Sequence, residues 1–437
     1  MSAAPATSPA PVRLHEVEIA APFPPLPDPG APYERALSLV RLHSVPLGLA
    51  ELDLRGGLSP AAYAGRVWQA LAPEIAAHLR ADALPVPDRL TAEGLAALAE
   101  PPCQEARRRV LAEPPLVSVV VPTRDAGELL EPCLASLRDC DYPADRREVI
   151  VVDNVRRSSA TADFLQCAFP WVRYVREESP GSASARNRGL AEARGTIVAF
   201  LDDDTVVDRF WLAEVAKGFA LAPRVGCVTQ LILPLELETP AQIWFEEYGG
   251  AAKGFAQRLY DLGEHRPDDP LFPFNAGRFG SGGGMAFDRA ALVRLGGFDP
   301  ALGNGTPARG GVDLEAFLRT VVEGYTLVYE PAAIVRHRHL REYADLRGRV
   351  YAYGVGLTAL ILRSLLAKPS LLPAFLARLP RGLVFALSSS SAKHAGKSPT
   401  YPGELRRAEL RGMLGGPLAY VRSARRFGWP ARVGPGA

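Results

Sequence analysis

Four short apolar runs, spaced by helical patterns, restrict this chain more than any other feature. Residues 197–201 have the length and apolar composition of a strand buried on both faces, 149–152 reads as a second buried strand, 116–121 is a short β-branched run, and 172–175 is a further strand candidate. The first is stopped by Pro122, after which Leu130, Cys133, Leu134 and Leu137 recur at helical spacing. Strands alternating with helices predict an α/β unit with a parallel sheet and right-handed crossovers. Three of the runs end in polar clusters: Thr123 and Arg124, Asp153 and Asn154, and the triplet Asp202, Asp203 and Asp204. A parallel sheet lines such clusters along one carboxyl edge, where open α/β folds bind ligands.

The clusters have chemical uses. Strand-end carboxylates suit hard divalent cations, which commonly share their coordination shell with substrate phosphates, although an acidic run is also a common solvated turn. Thr123 can hydrogen-bond a base or ribose, Arg124 can face phosphate, and Asp153 can accept from a nucleotide. The stretch 180–187, PGSASARN, joins a small-residue loop to a helix whose amino end favours anions, with Arg186 on it. Each of these alone reads equally well as a turn or cap; their ordered recurrence is what chance does not supply. Gly282, Gly283 and Gly284 let the backbone approach a sugar, or form a tight turn. They lack the strand-turn-helix context of a dinucleotide-binding glycine motif, which excludes a Rossmann oxidoreductase. Asp313 opens a helix over 314–322, and by residue type it is a cap. His337 and His339 follow the apolar run 332–335 on alternate positions and so face one way, either into a site or as a polar strand end among Arg336, Arg338 and Arg341.

At 437 residues the chain exceeds the usual size of one domain. Residues 1–32 are proline-rich and read as an irregular arm. Residues 33–113 read as an accessory domain, with strand character over 36–49. A helix there is capped by Ser59, begins at Pro60, carries Tyr63, Val67, Leu71 and Ile75 on one face, and is kinked or ended by Pro73. The α/β unit spans 114–345. Residues 346–437 hold fifteen Lys and Arg against two Glu, a net +13, so the rest of the chain carries −11 of the total +2. Their apolar runs are interrupted by Arg363, Lys368, Arg378 and Arg381, short of the roughly 20 residues that span a membrane. Amphipathic helices on an anionic membrane surface fit, as do helices packed on the α/β unit with a solvated basic face. No recognition motif or stacking array accompanies the charge, so nucleic acid is not an expected partner. Five cysteines without CxxC spacing fit a reducing compartment, and the amino terminus shows no signal-peptide pattern.

The motifs VSVVVPTRD (117–125), VIVVDN (149–154), PGSASARNRG (180–189), FLDDDT (200–205), SGGGMAFDRAALVRLGGFDP (281–300) and GGVDLEAFLRTVVEGYTLVYEPAAIVRHRH (310–339), in this order, resemble the family 2 glycosyltransferases, nucleotide-sugar enzymes of the GT-A fold. The resemblance covers about 114–345. It implies that Pro122, Thr123, Arg124, Asp153 and Arg186 hold the nucleotide and that Gly283 and Gly284 lie beside the donor. Asp202 would face the ribose or the metal shell, and Asp204 would bind Mn²⁺ or Mg²⁺. His337 or His339 would be a third ligand or a diphosphate contact, and Asp313 the catalytic base. Many relatives have Glu-Asp where this chain has Val312 and Asp313. The implied activity is metal-dependent, inverting, hexosyltransferase-like transfer from a nucleotide sugar to a hydroxyl of a glycan, glycolipid or cell-envelope polysaccharide. The expected location is the cytoplasm, peripheral on the inner face of the cell membrane. The alternatives are a catalytically silent nucleotide-binding scaffold of a membrane-associated glycan assembly, and a nucleotidyltransferase.

Overall fold

The computed structural model describes residues 8–124, 128–154, 159–388, 391 and 397–429; Asp125, which closes the first motif, lies outside them. The amino-terminal unit is a three-stranded sheet, β1 (Val12–Glu18), β2 (Arg35–Leu42) and β3 (Val45–Asp53), with β1 parallel to β2 and β2 hairpinned to β3. Helix α1 (Pro60–Ala81) buries Tyr63, Val67, Leu71 and Ile75. Ser59 caps it, and Leu71 leaves helical geometry just before Pro73, whose missing N–H and ring bulk explain the kink. Strand β1 corrects the expectation of an irregular arm over 1–32: Val17, Ile19, Phe23 and Leu26 are buried in this unit's core. Proline-rich composition hid them, because β1 is held by pairing with β2 rather than by any local preference.

After α2 (Glu105–Ala112) the main sheet begins. Its strands are β4 (Val117–Thr123), β5 (Arg147–Asp153), β6 (Arg173–Arg176), β7 (Ile197–Leu201), β8 (Thr205–Val207), β9 (Val225–Pro234), β10 (Arg258–Tyr260), β11 (Gly284–Asp288) and β12 (Thr326–His337). Among the described residues their order is β10-β12-β9-β11-β7-β4-β5-β6, with β8 against β12. The four expected strands are β4 to β7, all parallel, and antiparallel β11 joins them to the parallel pair β9 and β12.

Successive residues of β4 and β5 enter opposite cores. Val119, Val121, Val149 and Val151 meet α3 (Leu130–Arg138), α4 (Ala160–Ala168) and, through Trp211 and Val215, the helix Trp211–Gly218. Val120, Ile150 and Val152 meet α5 (Ser182–Glu192) together with Phe287, Phe298 and Phe317. An uninterrupted apolar strand is what two covered faces require. The remaining helices are α6 (Trp211–Gly218), α7 (Pro240–Tyr248), α8 (Arg289–Arg294), α9 (Val312–Val322), α10 (Tyr343–Ala367), α11 (Leu372–Leu387) and α12 (Gly403–Phe427).

Helix α10 is the wall behind α9. A Cβ on Gly356 would come 2.7 Å from the backbone of Gly310, so α10 crosses the loop into α9 with backbone on backbone. Arg363, expected to interrupt an apolar run, instead folds its guanidinium onto buried Glu315 and Asp299. The run therefore continues, and α10 and the segment 369–387 are each long and apolar enough, by length and composition alone, to cross a membrane. Half of the apolar window of α10 is buried against the protein, and none of that of 369–387.

Candidate functional site

Strand β7 delivers the aspartates. Leu201 is its last residue, and the chain turns through Asp202, Asp203 and Asp204 into β8, with the Thr205 hydroxyl donating to the Asp202 carbonyl at 2.7 Å. Short β8 pairs antiparallel with the end of β12, setting His337 opposite Thr205, and the Arg338 N–H donates to the Asp204 carbonyl at 3.0 Å. That register brings His337 Nε2 to 3.3 Å from Asp204 Oδ1. One ligand atom each of Asp202, Asp204 and His337 lies within 4.8 Å of the others.

The three carboxylates have different surroundings. Asp202 accepts from Arg186 Nη2 at 2.9 Å, and Arg186 is buried on α5. Asp203 turns back towards the sheet, where its Oδ2 accepts from Thr123 Oγ1 at 2.6 Å, and burial pushes its carboxyl up to about 6. Burial also raises Asp204, opposed by the His337 imidazole. Asp204 Oδ1 is buried without a hydrogen-bond partner, and it is the oxygen nearest His337. Two carboxylates and an imidazole with one such oxygen to satisfy fit a divalent cation, and the imidazole favours Mn²⁺ over Mg²⁺.

Asp153 belongs to the same edge. It ends β5 in register with Thr123 and accepts from the Tyr174 hydroxyl at 3.0 Å. Asn154 accepts from the Gly181 N–H and donates to the Glu177 and Ser179 carbonyls, which shapes the loop entering α5. Pro122 is half-buried in β4, and Arg124 is exposed just beyond it. Thr123, expected on the nucleotide, is buried, and its hydroxyl donates to Asp203 in the aspartate turn.

Gly282 and Gly283 join the two halves of the site. A Cβ on Gly282 would come 2.6 Å from Asp313 Oδ2, and one on Gly283 would come 3.2 Å from His337 Cδ2 and 3.7 Å from Asp202 Oδ2. This backbone therefore runs between Asp313 and the metal-type cluster. Gly284, expected beside the donor, packs instead against Gln230 and Val335 within the sheet. Asp313 stands in the first turn of α9, after Gly311 in the left-handed conformation with φ 80°. Val312, where many relatives have Glu, is buried.

Of the two candidate histidines, His339 lies outside the cluster. It faces the same way as His337, with ring centroids 5.6 Å apart, but it is buried against Phe245 and its Nε2 lies 2.7 Å from Glu246 Oε1. Period-two reasoning gave both imidazoles one direction but could not see α7 rising to meet the second. Two residues escaped sequence reasoning. Lys253, its ammonium pushed down by burial with Glu246 and Asp313 opposing, follows α7. Tyr353, on α10, is part-exposed, yet its phenol is raised by desolvation, with Arg349 opposing and the charges of Asp313 and Asp202 adding. Neither carries a local signal, because both reach the site through packing of elements outside the motifs. A cavity of about 1170 Å³ opens at the opposite edge of the sheet, beside Pro115, Thr196 and Val225. It contains none of these groups, so chemistry rather than size locates the site.

Comparison with known proteins agrees with the motifs. The Glycosyl transferase family 2 model matches residues 118–283. The chain is 29% identical over 249 residues to the Pre-mycofactocin glycosyltransferase of Mycobacterium tuberculosis (strain ATCC 25618 / H37Rv), covering 56% of this chain and 48% of that protein. It is 34% identical over 107 residues to glycosyltransferase AglE of Haloferax volcanii, covering 22% of this chain and 33% of that protein. The chain thus spans about half the length, or less, of these curated relatives. Among solved structures, the mannosyltransferase PcManGT from Pyrobaculum calidifontis, in complex with GDP-Man and Mn²⁺, is 21% identical with a TM-score of 0.44, covering 74% of this chain and 92% of that one. Segment 118–283 is thus similar to the glycosyl transferase family 2 proteins.

Proposed function

We propose that the chain is a metal-dependent, inverting glycosyltransferase that moves a hexose-like sugar from a nucleotide-sugar donor to a hydroxyl of a glycan, glycolipid or cell-envelope polysaccharide. The observation that carries this reading is the backbone at Gly282 and Gly283, with the Asp313 carboxyl on one side and Asp202 and His337 on the other. A donor lying along that backbone has its diphosphate by the cluster and its anomeric carbon towards Asp313. Asp153, Asn154 and Arg186 line the nucleotide end. A divalent cation held by Asp202, Asp204 and His337 would spread the charge that builds on the departing diphosphate. Asp313 takes the proton of the acceptor hydroxyl as it attacks opposite the leaving group, and configuration inverts. The test is Asp313→Asn: transfer is expected to fall about 10²–10⁴-fold with donor affinity kept. Near-normal turnover would reassign the base, and a wild-type chain that binds donor but turns over with no acceptor would favour the silent scaffold.

The acceptor side also supports peripheral contact with an anionic membrane. Leu372, Leu376, Leu379, Leu383 and Leu387 form one exposed stripe on α11, a helix with no buried residue and no acidic one. An apolar face with basic flanks, in a region of net +13, complements an anionic lipid surface. The wild type is expected to float with anionic liposomes and Leu376→Ser/Leu383→Ser to stay behind. No flotation of the wild type would remove the proposal.

A further inference from the structure

Far from the aspartates in sequence, four side chains of metal-ligand type meet in the amino-terminal unit: His43, His78, Asp82 and Cys103, with one ligand atom from each within 4.8 Å of the others. They come from three segments. His43, at φ 55°, begins the turn between β2 and β3; His78 lies in the last turn of α1, with Asp82 as its C-cap; Cys103 lies in the short turn Pro102–Gln104 that leads into α2. Their spacing in sequence matches no metal motif, so only folding reveals the group.

The separations discriminate between a hydrogen-bonded cluster and a ligand set. His43 Nδ1 lies 3.4 Å from Asp82 Oδ2, His78 Nε2 lies 3.5 Å from the same oxygen, and Cys103 Sγ lies 3.5 Å from His43 Nδ1. A good N–H···O bond is about 2.7–3.2 Å, so both nitrogen–oxygen distances are long for one. Ligand atoms of a tetrahedral zinc, with bonds of about 2.0–2.3 Å, stand about 3.3–3.8 Å apart, which all three distances match. His78 Nε2 and Asp82 Oδ2 are both buried without a hydrogen-bond partner, a costly arrangement that a shared cation would resolve.

We propose that His43, His78, Asp82 and Cys103 form a closed structural Zn²⁺ site. Two neutral imidazoles, one carboxylate and one thiolate balance the 2+ charge, and binding releases the thiol proton to solvent. Nitrogen and sulfur ligands select zinc over Mg²⁺ or Mn²⁺, which take oxygen. Four protein ligands fill a tetrahedral shell and leave no position for substrate; the side chains of His43, His78 and Asp82 are 3%, 11% and 5% exposed, and Cys103 is partly buried. The metal's role is to pin the hairpin tip to α1 and to the junction before the main sheet. The contacts around it continue in that direction. The His43 and Ser44 N–H groups donate to Glu18, Gln104 donates to the His43 carbonyl, and Arg107 bridges Ser44 to Glu214 of α6.

The test uses the full chain purified without chelator. Elemental analysis is expected to give about one zinc per chain. After exchange with Co²⁺, the visible spectrum should show a thiolate-to-cobalt charge-transfer band and tetrahedral d–d bands. Cys103→Ser and His78→Gln should lose both, while Cys167→Ser, at an exposed cysteine elsewhere, and Asp204→Asn, at the sheet edge, should keep both. A folded wild type with neither zinc nor cobalt bands would overturn the proposal, as would full zinc content in Cys103→Ser and His78→Gln. If those variants fail to fold, the cobalt spectrum of the wild type decides alone.

Discussion

Asp202, Asp204 and His337 stand part-exposed at the carboxyl edge of the main sheet, whereas in the amino-terminal unit His43 and Asp82 are buried and His78 and Cys103 are partly so. The first group is assembled by strand register: β7 ends, β8 turns back along β12, and His337 falls opposite Thr205. The second is assembled by packing alone, from a hairpin tip, a helix end and a linker turn. The difference separates two uses of ligand-type side chains. An open, carboxylate-rich group leaves positions for substrate oxygens, while a closed group with nitrogen and sulfur can only hold the chain together.

The sharpest way to break that contrast is Asp204→Asn. If the open group serves the reaction, transfer is expected to fall about a thousandfold and lose its response to Mn²⁺, while zinc content and melting temperature stay near wild type. Steady-state kinetics across a Mn²⁺ series, beside elemental analysis and a thermal melt, read all three. A variant that loses stability but keeps turnover would make the open group structural as well. Gly282→Ala comes next. Its methyl would enter the space of Asp313 Oδ2, so the proposed base is displaced while the cluster across the backbone stays in place. An ångström of misplacement costs about a hundredfold, so kcat should drop by roughly that amount with donor Kd unchanged. A rise in donor Kd instead would place Gly282 on the donor rather than at the base.

The same contrast explains what the sequence made legible. Strands β4, β5 and β7 could be read directly because burial on both faces requires continuous apolar runs, and the polar residues that stop those runs line the candidate site; edge strand β6, part-exposed, carries a weaker pattern. Asp202 and Asp204 followed, as did His337 on its alternating strand end. The sequence left His337 and His339 as alternatives because the partner of His339, Glu246, lies on α7, which no periodicity of β12 reports. The hydroxyl of Thr123 was not legible as a partner of Asp203, because a hydroxyl at a strand end serves a neighbouring carboxylate as readily as a ligand. Strand β1, Lys253, Tyr353 and the whole His43 group depend on pairing or packing between distant segments, so their local sequence carries no trace of them.

The smallest expected effect belongs to Asp203, which shares its turn with two candidate ligands but looks into the protein. Burial, with repulsion from Asp204 and Asp202, raises its carboxyl from 3.8 to about 6 against the opposing hydrogen bond from Thr123. Between those values the folded metal-free chain binds more protons at this position than the unfolded chain. The contribution of Asp203 to stability therefore falls as pH rises from about 4 to 6, and the cost is fully present at pH 7. Asp203→Asn removes the charge and keeps an acceptor for Thr123. Its melting temperature is expected to match wild type near pH 4 and to exceed it at pH 7, at about 2–4 °C for each kcal/mol relieved. Melts of both metal-free proteins across that range check this. Parallel curves would mean that Asp203 is already compensated, and that the middle aspartate is as much a part of the open group as its neighbours.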